Sequence, residues 1–208
     1  MKFSRAFTER TPESPRNAPL MLDLTKLRKV LVPAMKLSPA LASEAALSEL
    51  TALAARVPWQ LSDRIQGHSE SPHEERQLGM LGARVAQRGL GLLGEPPEGY
   101  WQCRFERLAE GAAFGPAVLP PNVPGRVHVR LELVVTEATR GGELRLEGDT
   151  VPLRPGDALL FRADDVPFHV TNVDEGSRLV FVIAAELPPG RWATRDRAGP
   201  GRRFGCCR

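Results

Sequence analysis

Apolar positions along this chain recur first at helical and then at strand spacing, and the change divides it into parts. Residues 1–19 carry Pro12, Pro15, Pro19 and scattered charges with little periodicity, the pattern of a mobile tail. Leu20 to Val32 is more apolar and stops at Pro33; its spacing leaves strand and helix both open. Ser38-Pro39 reads as an N-cap and first-turn pair, and Leu47, Leu50, Leu53 and Val57 follow at helical spacing before Pro58. Ser71-Pro72-His73-Glu74 announces a second helix by its capping box, with Leu78, Leu81 and Val85 on one face. Gly79, Gly82, Gly89 and Gly91 weaken its far end by about 1 kcal/mol each.

From Tyr100 the period falls to two. Trp101, Cys103 and Phe105 alternate with Gln102, Arg104 and Glu106. Further strands are expected at 127–135, 143–147, 150–153, 157–162, 167–172 and 178–186, separated by turn formers such as Gly141-Gly142, Gly148-Asp149 and Pro155-Gly156. Short strands after a helical front predict an α+β, mostly β fold: a sandwich or jelly roll with helices against one face. The expected organisation is a flexible segment at 1–37, supporting helices at 38–99, a β core at 100–187 and a basic, disordered tail at 188–208.

Composition narrows this little. The 208 residues suffice for one sizeable core, and 42% hydrophobic with 25% charged residues is ordinary for a globular protein. Twenty-eight Lys and Arg against 25 Asp and Glu give a net charge of +3, too balanced to argue for a nucleic-acid partner. The basic excess sits in the tail, where Arg191, Arg195, Arg197, Arg202, Arg203 and Arg208 face only Asp196. Cys103, Cys206 and Cys207 build neither a disulfide framework nor a paired zinc motif, and no apolar run approaches a membrane span, so a cytoplasmic location is expected.

Four blocks in order carry a resemblance. They are Gly141-Gly142-Glu143-Leu144, Leu153-Arg154-Pro155-Gly156-Asp157-Ala158-Leu159-Leu160-Phe161, His169-Val170-Thr171-Asn172-Val173 and Gly176-Ser177-Arg178-Leu179-Val180. Over residues 100–187 the chain resembles the double-stranded β-helix, or jelly roll, of the prolyl 4-hydroxylase-like iron- and 2-oxoglutarate-dependent dioxygenases. In that family two imidazoles and a carboxylate grip one face of Fe(II), leaving positions for 2-oxoglutarate and oxygen. The resemblance implies His169 as the distal iron ligand and Arg178 as the residue that holds the cosubstrate carboxylate, a role suited to its planar fork. It puts Ala117 and Leu119 at the positions of the first two ligands, a His-x-Asp pair in the family, and neither binds metal.

His128, Arg130 and Glu132 share one face of a predicted strand. If that face points into the barrel, His128 and Glu132 join His169 as an improvised triad; if outward, it is a solvated face, the ordinary place for charge and the expected one here. A resemblance to the cupins is weaker, because their His-x-His motif meets His128-Val129-Arg130. His68 and His73 flank a helix start without a third ligand nearby. The sequence therefore predicts a dioxygenase-fold protein with lost or altered iron chemistry and a retained pocket for a small carboxylate, a peptide or a protein partner. The alternative is an active hydroxylase of a peptide or amino-acid-like substrate, using Fe(II) and 2-oxoglutarate with non-standard ligands.

Overall fold

The computed structural model describes residues 35–63, 65–71, 84–85 and 101–190. In chain order the elements are β1 (Met35–Ser38), α1 (Glu44–Ala54), β2 (Gln60–Leu61), β3 (His68–Glu70), β4 (Trp101–Leu108), β5 (Phe114–Ala117) and β6 (Val127–Thr136). There follow β7 (Arg140–Gly141), β8 (Leu144–Leu146), β9 (Asp149–Thr150), β10 (Ala158–Arg162), β11 (Phe168–Val170), β12 (Val173–Glu175) and β13 (Arg178–Leu187). Strand pairing is antiparallel throughout, in a seven-stranded sheet ordered β1-β10-β6-β13-β4-β3-β2 and a four-stranded sheet ordered β5-β11-β8-β9. β12 and β7 form a separate pair. This is the mostly β jelly roll that the alternating pattern predicts.

Two apolar layers hold it together. Phe105, Val129, Leu131, Leu133, Phe181 and Ile183 line the outer face of the large sheet and bury Leu50, Leu53 and Ala54 of α1 against them. On the inner face, Leu159 and Phe161 join Phe168, Val170, Leu144 and Leu146 of the small sheet as buried side chains. The long strands β6 and β13 alternate between the two faces apart from one register shift at Leu179/Val180, so each contributes side chains to the helix-facing layer and to the barrel interior.

The helix starts later than its sequence suggests. Ser38 lies in β1, opposite Ala158 of β10, so its backbone belongs to a ladder and not to a helix cap. Ser43 takes the N-cap instead, its side chain accepting from the Ala46 amide. Between the two expected helices, β2 and β3 extend the large sheet. These strands have two and three residues, too few for a period-two pattern to register. The predicted second helix lies outside the described residues except for Arg84 and Val85, as does His73.

Asp157 ties the helical front to the barrel: its Oδ1 accepts from the Ala40 amide at 2.8 Å and its Oδ2 from the Arg154 amide at 3.0 Å. Gly156 beside it has φ +94°, and a Cβ there would stand 2.9 Å from the Ala42 carbonyl oxygen. Asp157→Ala is expected to lower unfolding stability by about 1–2 kcal/mol, read from the urea midpoint at constant m-value.

Candidate functional site

The inner face of the large sheet is charged, contrary to the outward reading of its polar residues. Arg130 and Glu132 are 2% and 1% exposed, and the Arg130 guanidinium lies 5.3 Å above the Phe168 ring of the opposite sheet. Strand alternation accounts for this. Val129, Leu131 and Leu133 take the helix-facing side, which forces Arg130 and Glu132 into the barrel. Burial then requires partners, and neighbouring strands supply them.

Arg130 makes a two-pronged contact with Glu106 of β4, Nη1 to Oε1 at 3.1 Å and Nη2 to Oε2 at 2.6 Å, while its Nε donates to Glu132 Oε1 at 2.8 Å. Arg104 donates from Nε to Glu106 Oε1 at 2.8 Å, and Arg178 from Nη2 to Glu132 Oε2 at 3.2 Å. The result is a continuous chain Arg104–Glu106–Arg130–Glu132–Arg178 across three strands. Burial alone would raise the Glu106 carboxyl, but the Arg130 and Arg104 guanidiniums hold it well below the usual carboxylate range. Burial likewise works against the Arg130 cation, and Glu106 and Glu132 outweigh it, raising that group above an ordinary arginine. His68 of β3 sits at the edge of the chain, 2% exposed, with Nε2 3.9 Å from both Glu106 Oε2 and Glu70 Oε1.

The implied site residues do not meet at one point. Phe168 and Val170 face the interior of β11, paired across from the buried Leu146 and Leu144, so His169 lies on the other face with Arg145 opposite it. His128 and Glu132 are four residues apart on one strand, or about 13 Å, too far to share an ion. Burial, then Arg130, lowers the His128 pKa and favours its neutral form; among the described residues neither ring nitrogen has a hydrogen-bond partner. β5 runs beside β11, with Ala117 opposite Phe168. Ala117 and Leu119 are half-buried and offer no ligand atom.

Among the described residues no three His, Cys, Asp or Glu side chains are grouped to hold a metal ion. The space left between His68, Glu106, Phe114, Arg130, Glu132 and Arg178 is about 10 Å³, room for roughly one water. Phe168 fills the barrel centre, stacked on Phe114 at 5.4 Å and edge-on to Phe161 at 5.2 Å. Fe(II) with 2-oxoglutarate does not fit these residues: the one deeply placed carboxylate on β6 is already taken by two arginines.

Arg178 also borders a second space. It lines a cavity of about 520 Å³ at the barrel end, together with Glu137, Arg154 and a floor of Val134, Leu144, Val151 and Leu153. Sequence reasoning passed over Glu106 and placed His68 only beside a helix start, not at the barrel. A signal for Glu106 was present, since Arg104-x-Glu106 and Arg130-x-Glu132 repeat one charge pattern on two strands; His68, in a three-residue strand, gave none.

No protein-family model matches the chain, and no curated protein matches it. Solved structures do. The chain is similar to HygX from Streptomyces hygroscopicus, solved with nickel, 2-oxoglutarate and hygromycin B bound, at 12% identity and a TM-score of 0.58, covering 79% of this chain and 87% of that one. It is similar to a 2OG-Fe(II) oxygenase family oxidoreductase from Burkholderia pseudomallei at 17% identity, TM-score 0.58, over 77% of this chain and 86% of that one. A prolyl hydroxylase from Trichoplax adhaerens, in complex with a hypoxia inducible factor peptide fragment, matches at 18% identity and a TM-score of 0.55, over 80% and 89%. At these identities the likeness shows a shared fold.

Proposed function

We propose that this chain uses the 2-oxoglutarate oxygenase fold as a binding scaffold in place of an iron centre, and takes a small carboxylate or peptide at the cavity lined by Arg178. The carrying observation is the buried chain from Arg104 to Arg178, which lies inside the barrel and leaves about 10 Å³ between its side chains, His68 and Phe114. An iron ligand set would need Glu132 freed from Arg130 and Arg178, and either step leaves buried arginine without its carboxylate. Arg178 keeps the carboxylate-binding chemistry that its position implies. Inside the barrel it meets Glu132, and toward solvent it meets the cavity. The cavity volume lies within the range of small-molecule sites, and its apolar floor suits a ligand with a hydrocarbon part. Among the described residues no helix is long and apolar enough to cross a membrane.

Anaerobic calorimetry with Fe(II), with and without 2-oxoglutarate, tests the first half. The expected result is no saturable binding near one equivalent. One equivalent of tightly bound iron that is lost in His169→Ala would overturn the scaffold reading and favour an active hydroxylase. For the second half, 4-methylpentanoate titrated into the protein under NMR observation is expected to bind, with affinity reduced about tenfold or more in Arg178→Lys. A lysine keeps the charge against Glu132 and loses the planar fork, so folding and binding are separable.

A further inference from the structure

The charges around the 520 Å³ cavity carry more than a generic carboxylate site. Five charged residues line it, and two of them are engaged locally: Arg140 with Asp174 at 3.6 Å and Glu143 with Arg145 at 3.6 Å. Arg154 and Glu137 make no side-chain hydrogen bond or ion pair among the described residues. Arg178, 5% exposed, also lines the cavity, and among the described residues its side chain gives one hydrogen bond, to Glu132. Two cations and one anion thus face the same space without closing on one another.

The backbone fixes that arrangement. Leu179 pairs with Thr136, which sets Arg178 beside Glu137 at the ends of neighbouring strands. The turn holding Arg154 is bound to the same end of β6 by Gly156 N–H to Val134 O at 2.9 Å and Val134 N–H to Asp157 O at 3.0 Å. Below the three charges lie the buried side chains of Val134, Leu144, Val151 and Leu153.

We propose that this cavity is a site for a zwitterion, an α-amino acid with an apolar side chain, whose carboxylate engages Arg178 and Arg154, whose ammonium engages Glu137 and whose side chain covers the apolar floor. The proposal rests on the cavity being a ligand site and goes further in naming the ligand class. A plain carboxylate answers the two arginines but brings its charge against Glu137; a plain amine answers Glu137 and meets two arginines. A ligand bearing both charges on adjacent atoms satisfies all three. The Glu137 carboxyl is itself raised, because burial outweighs the pull of Arg154 and Arg178, and a ligand ammonium would relieve that.

The test compares L-leucine with 4-methylpentanoate, which has the same skeleton without the amine, and 3-methylbutylamine, which lacks the carboxylate, by NMR titration of the full chain. Leucine is expected to bind at least about tenfold more tightly than either, and Glu137→Gln, a change at an exposed site, is expected to remove its advantage over 4-methylpentanoate. Leucine binding no better than 4-methylpentanoate overturns the zwitterion assignment while the carboxylate site stands. An advantage that persists in Glu137→Gln overturns the role of Glu137 and with it the assignment. If neither leucine nor 4-methylpentanoate binds, both readings fall.

Discussion

Replacing Arg130 by Met is expected to destabilise the fold by about 3–5 kcal/mol at neutral pH, because it takes the shared cation from two buried carboxylates at once and leaves each with one arginine. Glu106 and Glu132 are 6% and 1% exposed, and Arg130 gives them three hydrogen bonds. The methionine fills most of the volume, so the loss is electrostatic more than steric. Urea unfolding measures it, and an effect below about 1 kcal/mol would mean that the chain of ion pairs is a surface feature in solution. The pH dependence gives a second reading with its own sign. In the native protein the Glu106 carboxyl is held below its unfolded value, so its contribution is present above the unfolded pKa and is lost as pH falls through the depressed folded value. Arg130→Met removes the larger of the two cationic influences that lower it, leaving burial opposed chiefly by Arg104. The folded pKa rises, and the variant loses less stability than the native protein on acidification below about pH 4.3. Parallel stability profiles for the two proteins in that window would contradict the assignment.

The strands of residues 100–187 were legible because long strands buried on two sides leave dense, period-two apolar runs, as β6 and β13 do. The jelly roll followed from their spacing and from the four resembling blocks. The direction of the polar face on β6 was not legible, because alternation says which residues share a face and not which face is inside. What decides it is α1, which packs on Val129, Leu131 and Leu133 and is distant in sequence from all three. Sequence distance also hid the partnership of Arg130 with Glu106, 24 residues away, and of Arg178 with Glu132, 46 away. The resemblance rests His169 on the block His169-Val170-Thr171-Asn172-Val173, but the facing of a strand residue depends on a one-residue register, and the structure gives the interior to Phe168 and Val170. A shift of one residue exchanges the two faces of a strand, and no sequence motif is sensitive to that. β5 went unseen because Phe114–Ala117 contains a Gly and a Pro, and its place at the sheet edge is where such residues are tolerated.

Phe168→Ala is expected to cost about 3–5 kcal/mol, and its consequences reach the interpretation of the barrel as a whole. Phe168 is fully buried and makes three ring contacts: Phe114 at 5.4 Å, Phe161 at 5.2 Å and the Arg130 guanidinium at 5.3 Å. It is the side chain that joins the small sheet to the charged face of the large one. Truncation removes apolar burial, opens a cavity beside Glu132 and takes away the aromatic face that Arg130 rests on. The cost is read by urea unfolding at neutral pH. If Phe168 were loosely held in solution, as it would be if the barrel opened to admit a metal and a cosubstrate, the cost would fall to about 1 kcal/mol or less, since the space would already be hydrated. The same variant separates the two ends of the molecule. The cavity at Arg178, Arg154 and Glu137 does not include Phe168, so the folded fraction of Phe168→Ala should bind leucine as the native protein does. Loss of leucine binding in folded Phe168→Ala would place the ligand inside the barrel and return the interior to consideration as the site of chemistry.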